Sequence, residues 1–506
     1  MNNYEKKDLC GIALFITSIF FLIFVSYMAF AKPFVWTDEV FTLNIVKFSI
    51  NDLISFTSID VHPPLYYLIF KFFLKIGTFI NFTDIILIGR FVSLLPFYLL
   101  FIVSILKLRK NFGLLAAGLF TLTLVSMPQM MNFAVELRMY GWGLFFITCS
   151  FILVYDLIKN DFNYIKWIML TVLSIAGFYT HYYVAVALSL IYLFILYYLI
   201  KNNRESLKIW IISVAVIVVS YLPWIPIIFQ QISRKMEIYW IEPITVHRFL
   251  EYFAYIFSPD CPFLYENEPV TFSIFGLLLL IVALVLLIKN NRDIDSKYAV
   301  IGMVICFIVP VIGVIISAIF RPFFHPRYII PVLGVFWLGF SILLSKNFDK
   351  KVIFIPAVII ILVCSLVGSM TFYDNMNYRQ EVDTNITDSL QQTIGNDNII
   401  ICCQNNIQRH FSNYFLPNNV YFIDDYSTNE SYNDFIVNLN GILNDSEVQN
   451  QVQSGRKIYI VNIFKGNNTI PLEHENYVLV EKPINVVDSS MFNYTNLRIY
   501  EVNFRN

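Results

Sequence analysis

Eleven stretches of about twenty apolar residues recur along the chain, at residues 9–31, 85–106, 113–129, 139–158, 164–180, 182–200, 208–229, 271–288, 298–320, 328–345 and 352–372. A helix needs roughly 20 such residues to cross the ~30 Å hydrocarbon core of a bilayer. No water in that core satisfies the backbone, so each run must close its own hydrogen bonds as a helix. The balance of residue types agrees: 57% of the 506 residues are hydrophobic and 14% are charged, against about 25% charged in soluble domains. A net charge of −1 provides no basic field, which argues against nucleic acid as a partner. The seven cysteines show no metal-like spacing, and the adjacent Cys402 and Cys403 read as core filling rather than a redox pair. The expected fold is a polytopic α-helical membrane protein with about eleven spans.

Charge fixes an expected orientation. The first run follows Lys6 and Lys7; Ala29-Phe30-Ala31 resembles a signal-peptidase site, but the run is too long for a secretory signal and reads as an uncleaved helix. Residues 63–76 form a shorter apolar stretch that opens on two prolines and contains Lys71 and Lys75, so it is read as a juxtamembrane helix lying along the outer face. With the N-terminus in the cytoplasm, the loops at 107–111, 159–166, 201–208, 289–297 and 346–351 fall inside, and each carries at least two Lys or Arg. Counting 63–76 as a span would invert every later loop. The unusual polar residues then gather on the extracytoplasmic side of the cell membrane. The tail from Tyr373 onward joins them there, giving an expected membrane domain at 1–372 and a soluble domain at 373–506. That tail alternates β-rich runs at 399–403, 420–423, 458–463, 477–481 and 497–502 with polar stretches, the pattern of a small α/β domain. It contains no glycine-rich phosphate loop and no nucleophile elbow.

Five outer-face segments could carry chemistry. Trp36-Thr37-Asp38-Glu39 sets two carboxylates at a membrane surface, where one can act as a general base on a hydroxyl. On the dipeptide alone, an ordinary acidic loop that caps a following helix is the better explanation, since Thr37 or Asp38 is a fair N-cap. Asp60-Val61-His62-Pro63-Pro64-Leu65-Tyr66-Tyr67 fixes the chain direction by its paired prolines, holding Asp60 and His62 near the headgroups; a plain turn before a helix is the simpler reading. Glu136 and Arg138 precede Met139 and Tyr140 at the edge of a span, and charges entering a membrane helix need partners. Thr180-His181-Tyr182-Tyr183 is a polar break between two spans, also readable as an interfacial aromatic belt. Arg321-Pro322-Phe323-Phe324-His325-Pro326-Arg327-Tyr328 brings two guanidiniums and an imidazole to the outer edge, a natural clamp for a phosphate or diphosphate.

Together these segments resemble the GT-C superfamily of membrane glycosyltransferases, and within it the bacterial family-39-like group related to protein O-mannosyltransferases and the lipid A aminoarabinose transferase. The likeness spans residues 1–372 and is carried by Asp38-Glu39, Asp60 with His62-Pro63-Pro64-Leu65-Tyr66-Tyr67, Arg90, Arg138-Met139-Tyr140 and Pro326-Arg327-Tyr328. The resemblance implies a polyprenyl-phosphate-linked sugar donor and transfer on the non-cytoplasmic side to a lipid, glycan or protein acceptor. It implies Asp38 as the base, Glu39 orienting acceptor or sugar, Arg138 and Arg327 on the departing phosphate, and His62 near the reacting centre. Tyr140, His181, His325 and Tyr328 complete the expected donor site. A single displacement would invert the anomeric carbon. The clustered acidic ligands of metal-dependent members are missing, so neither a metal nor another cofactor is expected. The tail beyond Tyr373 carries no signature of the group.

Three other readings compete. A flippase or transporter of lipid-linked sugars would show internal repeats and broken helices with polar groups at mid-membrane. A lipid-linked glycan polymerase or ligase would set its arginines in large outer loops. A sensor or scaffold acting through the tail leaves the outer-face cluster unexplained.

Overall fold

The computed structural model describes residues 3–159, 163–233, 293–320, 324–395, 397–402, 420–422, 439–463, 476–482 and 497–505, with isolated positions between 245 and 286. Two compact units divide the chain: Met1–Ala31 with Val46–Asp374, and Lys32–Ile45 with Asn375–Asn506.

The first unit is helical. It opens with α1 (Asn3–Ala31); α2 (Thr37–Ile45) belongs to the second unit, and the first resumes with α3 (Ile50–Ile59) and α4 (Leu65–Phe79). Then come α5 (Ile85–Val103, prolonged through a π turn to Phe112), α6 (Leu114–Ser126), α7 (Pro128–Val135), α8 (Tyr140–Lys159), α9 (Tyr164–Phe178), α10 (Tyr182–Asn202), α11 (Leu207–Tyr221), α12 (Ile225–Ser233), α13 (Ile294–Ile319), α14 (Ile330–Lys346) and α15 (Lys351–Ile394), of which the residues up to Asp374 belong to the first unit and those from Asn375 to the second. Among the described residues eight helices are long and apolar enough to cross a membrane, nine if α6 and α7 make one bent span. The chain is a multi-pass membrane protein. Every run expected from the sequence coincides with a helix except 271–288, which lies largely outside the described residues. At 15 residues each, α4 and α9 reach ~22 Å at 1.5 Å per residue, short of the ~30 Å core.

The run at 113–129 is not the single straight span expected. It breaks after Ser126, and α6 and α7 meet at 63°. Pro128 is the cause: its ring drives Met127 out of the helical region to φ −67°, ψ 141°, and Pro128 itself takes the first position of the next helix, where a missing N–H costs nothing. Elsewhere helix starts follow ordinary capping chemistry. Asp84 accepts the amides of Ile86 and Leu87 at 3.0 Å each, and Asn163 accepts those of Ile165 and Lys166 at 2.9 and 3.3 Å.

Packing depends on small residues where backbones approach. A Cβ on Gly118 would lie 2.6 Å from the Gly11 carbonyl oxygen, and one on Gly11 would lie 2.7 Å from the Leu114 carbonyl carbon, so α1 crosses α6 at backbone contact. Helix α14 is apolar all round, and Ile330 through Ser345 are buried without exception. It packs between α8 and α13 as the central post. At the end of α8 remote from Tyr140, buried Asp156 receives Lys107 (3.5 Å), Lys166 (3.7 Å) and the Asn111 amide (2.9 Å), tying together three helix ends.

In the second unit, α2 is capped by its own sequence. The Glu39 carboxylate, 1% exposed, accepts the Trp36 amide at 3.2 Å, the return half of a capping box. Asp38 is half-buried beside it. The tail forms a five-stranded sheet of order β2-β1-β3-β5-β4 from β1 (Ile399–Cys402), β2 (Val420–Phe422), β3 (Ile458–Ile463), β4 (Tyr477–Lys482) and β5 (Leu497–Phe504). The first three strands are parallel; β5 runs antiparallel to β3 and to β4. Ile399, Ile401, Ile458, Ile460 and Tyr500 share its core with Val448 of α16 (Ser446–Gln453). All five β-rich runs therefore become strands, while residues 403 and 423 fall outside the described set.

Candidate functional site

Three breaks between helices of the first unit converge. The first is the arc between α3 and α4, where Asp60 closes α3 by donating its amide to the Phe56 carbonyl (2.9 Å) and Pro64 opens α4. The prolines stiffen this arc, and the Leu65 amide donates to the Tyr179 carbonyl at 3.0 Å. That bond fastens the arc to the second break, residues 179–181. There His181 is the N-cap of α10: its Nδ1 accepts the Tyr183 amide at 3.2 Å. The third break is the short 3-10 turn Pro326–Ile329 before α14, capped in the same way by His325, whose Nδ1 accepts the Arg327 amide at 3.4 Å. With Nδ1 used as an acceptor, the neutral His181 ring keeps its proton on Nε2.

The rings meet at the centre. His62 stacks on His181 at 5.2 Å between centroids. Tyr328 stands 5.0 Å from His181 and 6.4 Å, edge-on, from His62; Tyr140, the first residue of α8, lies 5.7 Å from His181 and 6.5 Å from Tyr328. Tyr183 stacks on Tyr328 at 5.4 Å and meets Phe324 edge-on at 5.0 Å. His325 lies at the margin, 6.1 Å from Tyr328. His62, Tyr140 and His181 are buried, and Arg138 is 5% exposed; Arg327 and His325 are half-buried.

The turn carrying Arg138 is clamped to α5. Arg90, fully buried, donates its guanidinium to the Val135 carbonyl at the end of α7, where the helix dipole welcomes a cation. Trp142 Nε1 donates to the Val92 carbonyl at 3.1 Å. Gly89 leaves room for Leu137, whose side chain would lie 2.6 Å from a Cβ placed there. The Arg138 amide closes the turn on the Glu136 carbonyl at 2.7 Å, so neither Glu136 nor Arg138 is helical.

Burial and charge keep both imidazoles neutral. Loss of solvent holds His62 well below the usual imidazole range, and the Arg138 guanidinium, the His181 ring and Arg327 add to that effect. His181 is pushed down to about 3, first by burial and then by Arg138 and Arg327. The cluster's positive charge therefore resides on the two guanidiniums, with uncharged donors between them. Two polar atoms in it are buried with no hydrogen-bond partner among the described residues: His62 Nδ1 and the Tyr140 hydroxyl. Buried polar groups are normally satisfied, and a pair left open in one cluster is what a polar ligand would complete.

Of the residues singled out from sequence, His62, Arg138, Tyr140, His181, Arg327 and Tyr328 are brought together, with His325 at the edge. Arg321 lies outside the described residues. Asp38 and Glu39 belong to the other unit, where Glu39 holds the start of α2. Sequence reasoning missed Tyr183, read only as an interfacial aromatic, although its place two residues after His181 was the available signal. Among the described residues no group of three or more His, Cys, Asp or Glu could hold a metal ion.

No family model matches the chain, and no curated protein matches its sequence. Solved structures do. ArnT from Cupriavidus metallidurans bound to undecaprenyl phosphate superposes with a TM-score of 0.57 at 10% identity, over 96% of this chain and 97% of that one. ArnT from the same organism in the apo state gives 0.52 at 11% identity, over 87% of each chain. Identity this low speaks to architecture alone, and it does so over nearly the whole length: the chain has the fold of the GT-C membrane glycosyltransferases.

Proposed function

We propose that this protein is a glycosyltransferase that moves a sugar from a polyprenyl-phosphate-linked donor to an acceptor hydroxyl on the outer face of the membrane. The observation that carries the reading is the buried cluster. Two guanidiniums flank neutral imidazoles and a phenol whose open polar atoms can complete a ligand's hydrogen bonds. A phosphate diester gains a negative charge when its sugar leaves, so cations held there stabilise the transition state more than the ground state. Arg138 and Arg327 take that role, with His62, His181, Tyr140 and Tyr328 lining the phosphate and His325 at the rim. The fold is shared with ArnT, whose structure with undecaprenyl phosphate supports a lipid phosphate as the ligand class.

The reaction then needs a base and no strong acid. Asp38, half-buried rather than enclosed, accepts the proton of the acceptor hydroxyl as that oxygen attacks the anomeric carbon. The bond from that carbon to the phosphate oxygen breaks, inverting the centre, and the polyprenyl phosphate departs. Glu39, engaged at the Trp36 amide, shapes the segment that presents Asp38. The orientation follows the positive-inside rule: N-terminus cytoplasmic, the sheet of the tail outside.

The test is transfer of radiolabelled sugar from polyprenyl-phosphate donors to membrane acceptors. Wild type should transfer label, and Asp38→Asn should lose it while still binding donor lipid. Wild-type turnover in Asp38→Asn removes the assignment of the base. Movement of intact lipid-linked sugar across the bilayer without transfer identifies a flippase instead.

A further inference from the structure

Gln231 is a polar residue near the end of α12, a helix whose Phe229 and Ile232 are exposed apolar side chains. It is itself 7% exposed, and burying an amide in such a place is costly unless its polar atoms are used. They are used in one direction. Its Nε2 donates to the Thr57 and Ser58 carbonyls at 3.2 and 3.1 Å, two of the last carbonyls of α3, which have no acceptor role left within the helix. Its Oε1 accepts the Tyr182 hydroxyl, and that hydroxyl accepts Trp224 Nε1 at 3.2 Å. One side chain thus joins Ser58, four residues before His62, to Tyr182, the neighbour of His181. On the far flank of His62, the Leu65 amide already meets the Tyr179 carbonyl at 3.0 Å. The arc from Ser58 to Leu65, which carries His62 and both prolines, is therefore pinned at both ends to the break that carries His181.

We propose that Gln231 is a positioning residue that sets the spacing of the stacked His62–His181 pair, and through it the grip on the donor phosphate. The inference rests on the glycosyltransferase reading above. Without Gln231 the end of the arc at Thr57 and Ser58 loses its link to Tyr182, so His62 can drift from its partner while the Leu65 anchor stays. Donor binding suffers and the chemistry on donor already bound does not.

The experiment is a double-mutant cycle on the full-length protein, read as donor KM and kcat in the transfer assay. Gln231→Leu, close in volume and without polar atoms, should raise donor KM at least fivefold with kcat within twofold. In a His62→Ala background the same substitution should change KM by less than twofold, because the group it positions is gone. An unchanged KM in the first background, or an equal rise in both, overturns the proposal. If Gln231→Leu does not accumulate in membranes, Tyr182→Phe removes the other half of the link and is read identically. A wild type that transfers no sugar would defeat the functional reading instead. The positioning claim is then decided by NMR of histidine-labelled protein, with the ring signals of His62 and His181 assigned by substitution. Both signals should move together in Gln231→Leu; unmoved signals overturn it.

Discussion

Asparagine at position 181 separates the two roles of that histidine. Its side-chain oxygen can accept the Tyr183 amide as Nδ1 does at 3.2 Å, so the cap of α10 is kept while the titrating ring is removed. In the folded protein His181 stays neutral down to about pH 3, whereas the unfolded chain protonates it near the ordinary imidazole value of about 6.5. Below that value the unfolded state binds a proton the folded state refuses, so stability falls as pH drops, by about 1.4 kcal/mol for each pH unit. Integrated from about pH 7 to about pH 5, His181 alone accounts for about 2 kcal/mol of lost stability. His62 acts in the same direction and is present in both proteins. Reversible unfolding in mixed micelles, followed by the fluorescence of the seven tryptophans, measures the loss for wild type and for His181→Asn. The variant should lose about 2 kcal/mol less than wild type over that interval. Equal losses in the two proteins would refute the claim that burial and the two arginines hold this ring neutral.

Arg90→Met removes the charged donor from the Val135 carbonyl and should cost about 1.5–3 kcal/mol of stability in the same unfolding assay, with a higher donor KM because the Arg138 turn loosens. Gly118→Leu drives side-chain atoms into the Gly11 carbonyl oxygen, which lies only 2.6 Å from where a Cβ on residue 118 would sit, so α1 must back away; a loss of about 1–3 kcal/mol is expected, and Gly118→Ala should show part of it. Arg327→Ala should weaken donor binding more than acceptor binding in equilibrium assays, and an unchanged donor affinity would make that arginine structural. Topology reporters at residues 110 and 440 should report opposite sides of the membrane; the same side for both would put the span count wrong by one.

Hydropathy located the long apolar helices because the bilayer's demand on the backbone is local: any twenty apolar residues face it regardless of their neighbours. The strands of the tail were equally plain, since Ile399–Cys402 and Ile458–Ile463 are β-branched runs bounded by polar residues. The bend at Met127 was missed although Pro128 was in view, because hydropathy averages over the one residue that breaks the ladder. His62, Arg138, His181 and Arg327 were picked out as polar residues at span edges, but nothing in their spacing announced that His62 would stack on a ring 119 positions away. Gln231 was passed over altogether. It follows an apolar run, and its partners, Thr57 and Tyr182, are 174 and 49 positions distant. Glu39 carries a role that its adjacency to Asp38 did not announce: its carboxylate accepts the Trp36 amide at the start of α2.

The contact between Gly11 and Gly118 also bears on how the protein is made. α1 leaves the ribosome before its partner α6, which begins about 80 residues later. At ~5–20 residues per second the helix waits roughly 4–16 seconds before that partner is synthesised. Its outward surface is richly apolar, with Phe20, Ile23 and Tyr27 exposed even in the finished fold, so it can wait in the bilayer without help. The glycine face is then recognised by shape alone, since lipid tails solvate apolar side chains as well as another helix does. Order of synthesis, rather than relative affinity, therefore decides when the N-terminal helix docks, and a bulky residue at either glycine would be felt as a delay in assembly before it was felt as a loss of activity.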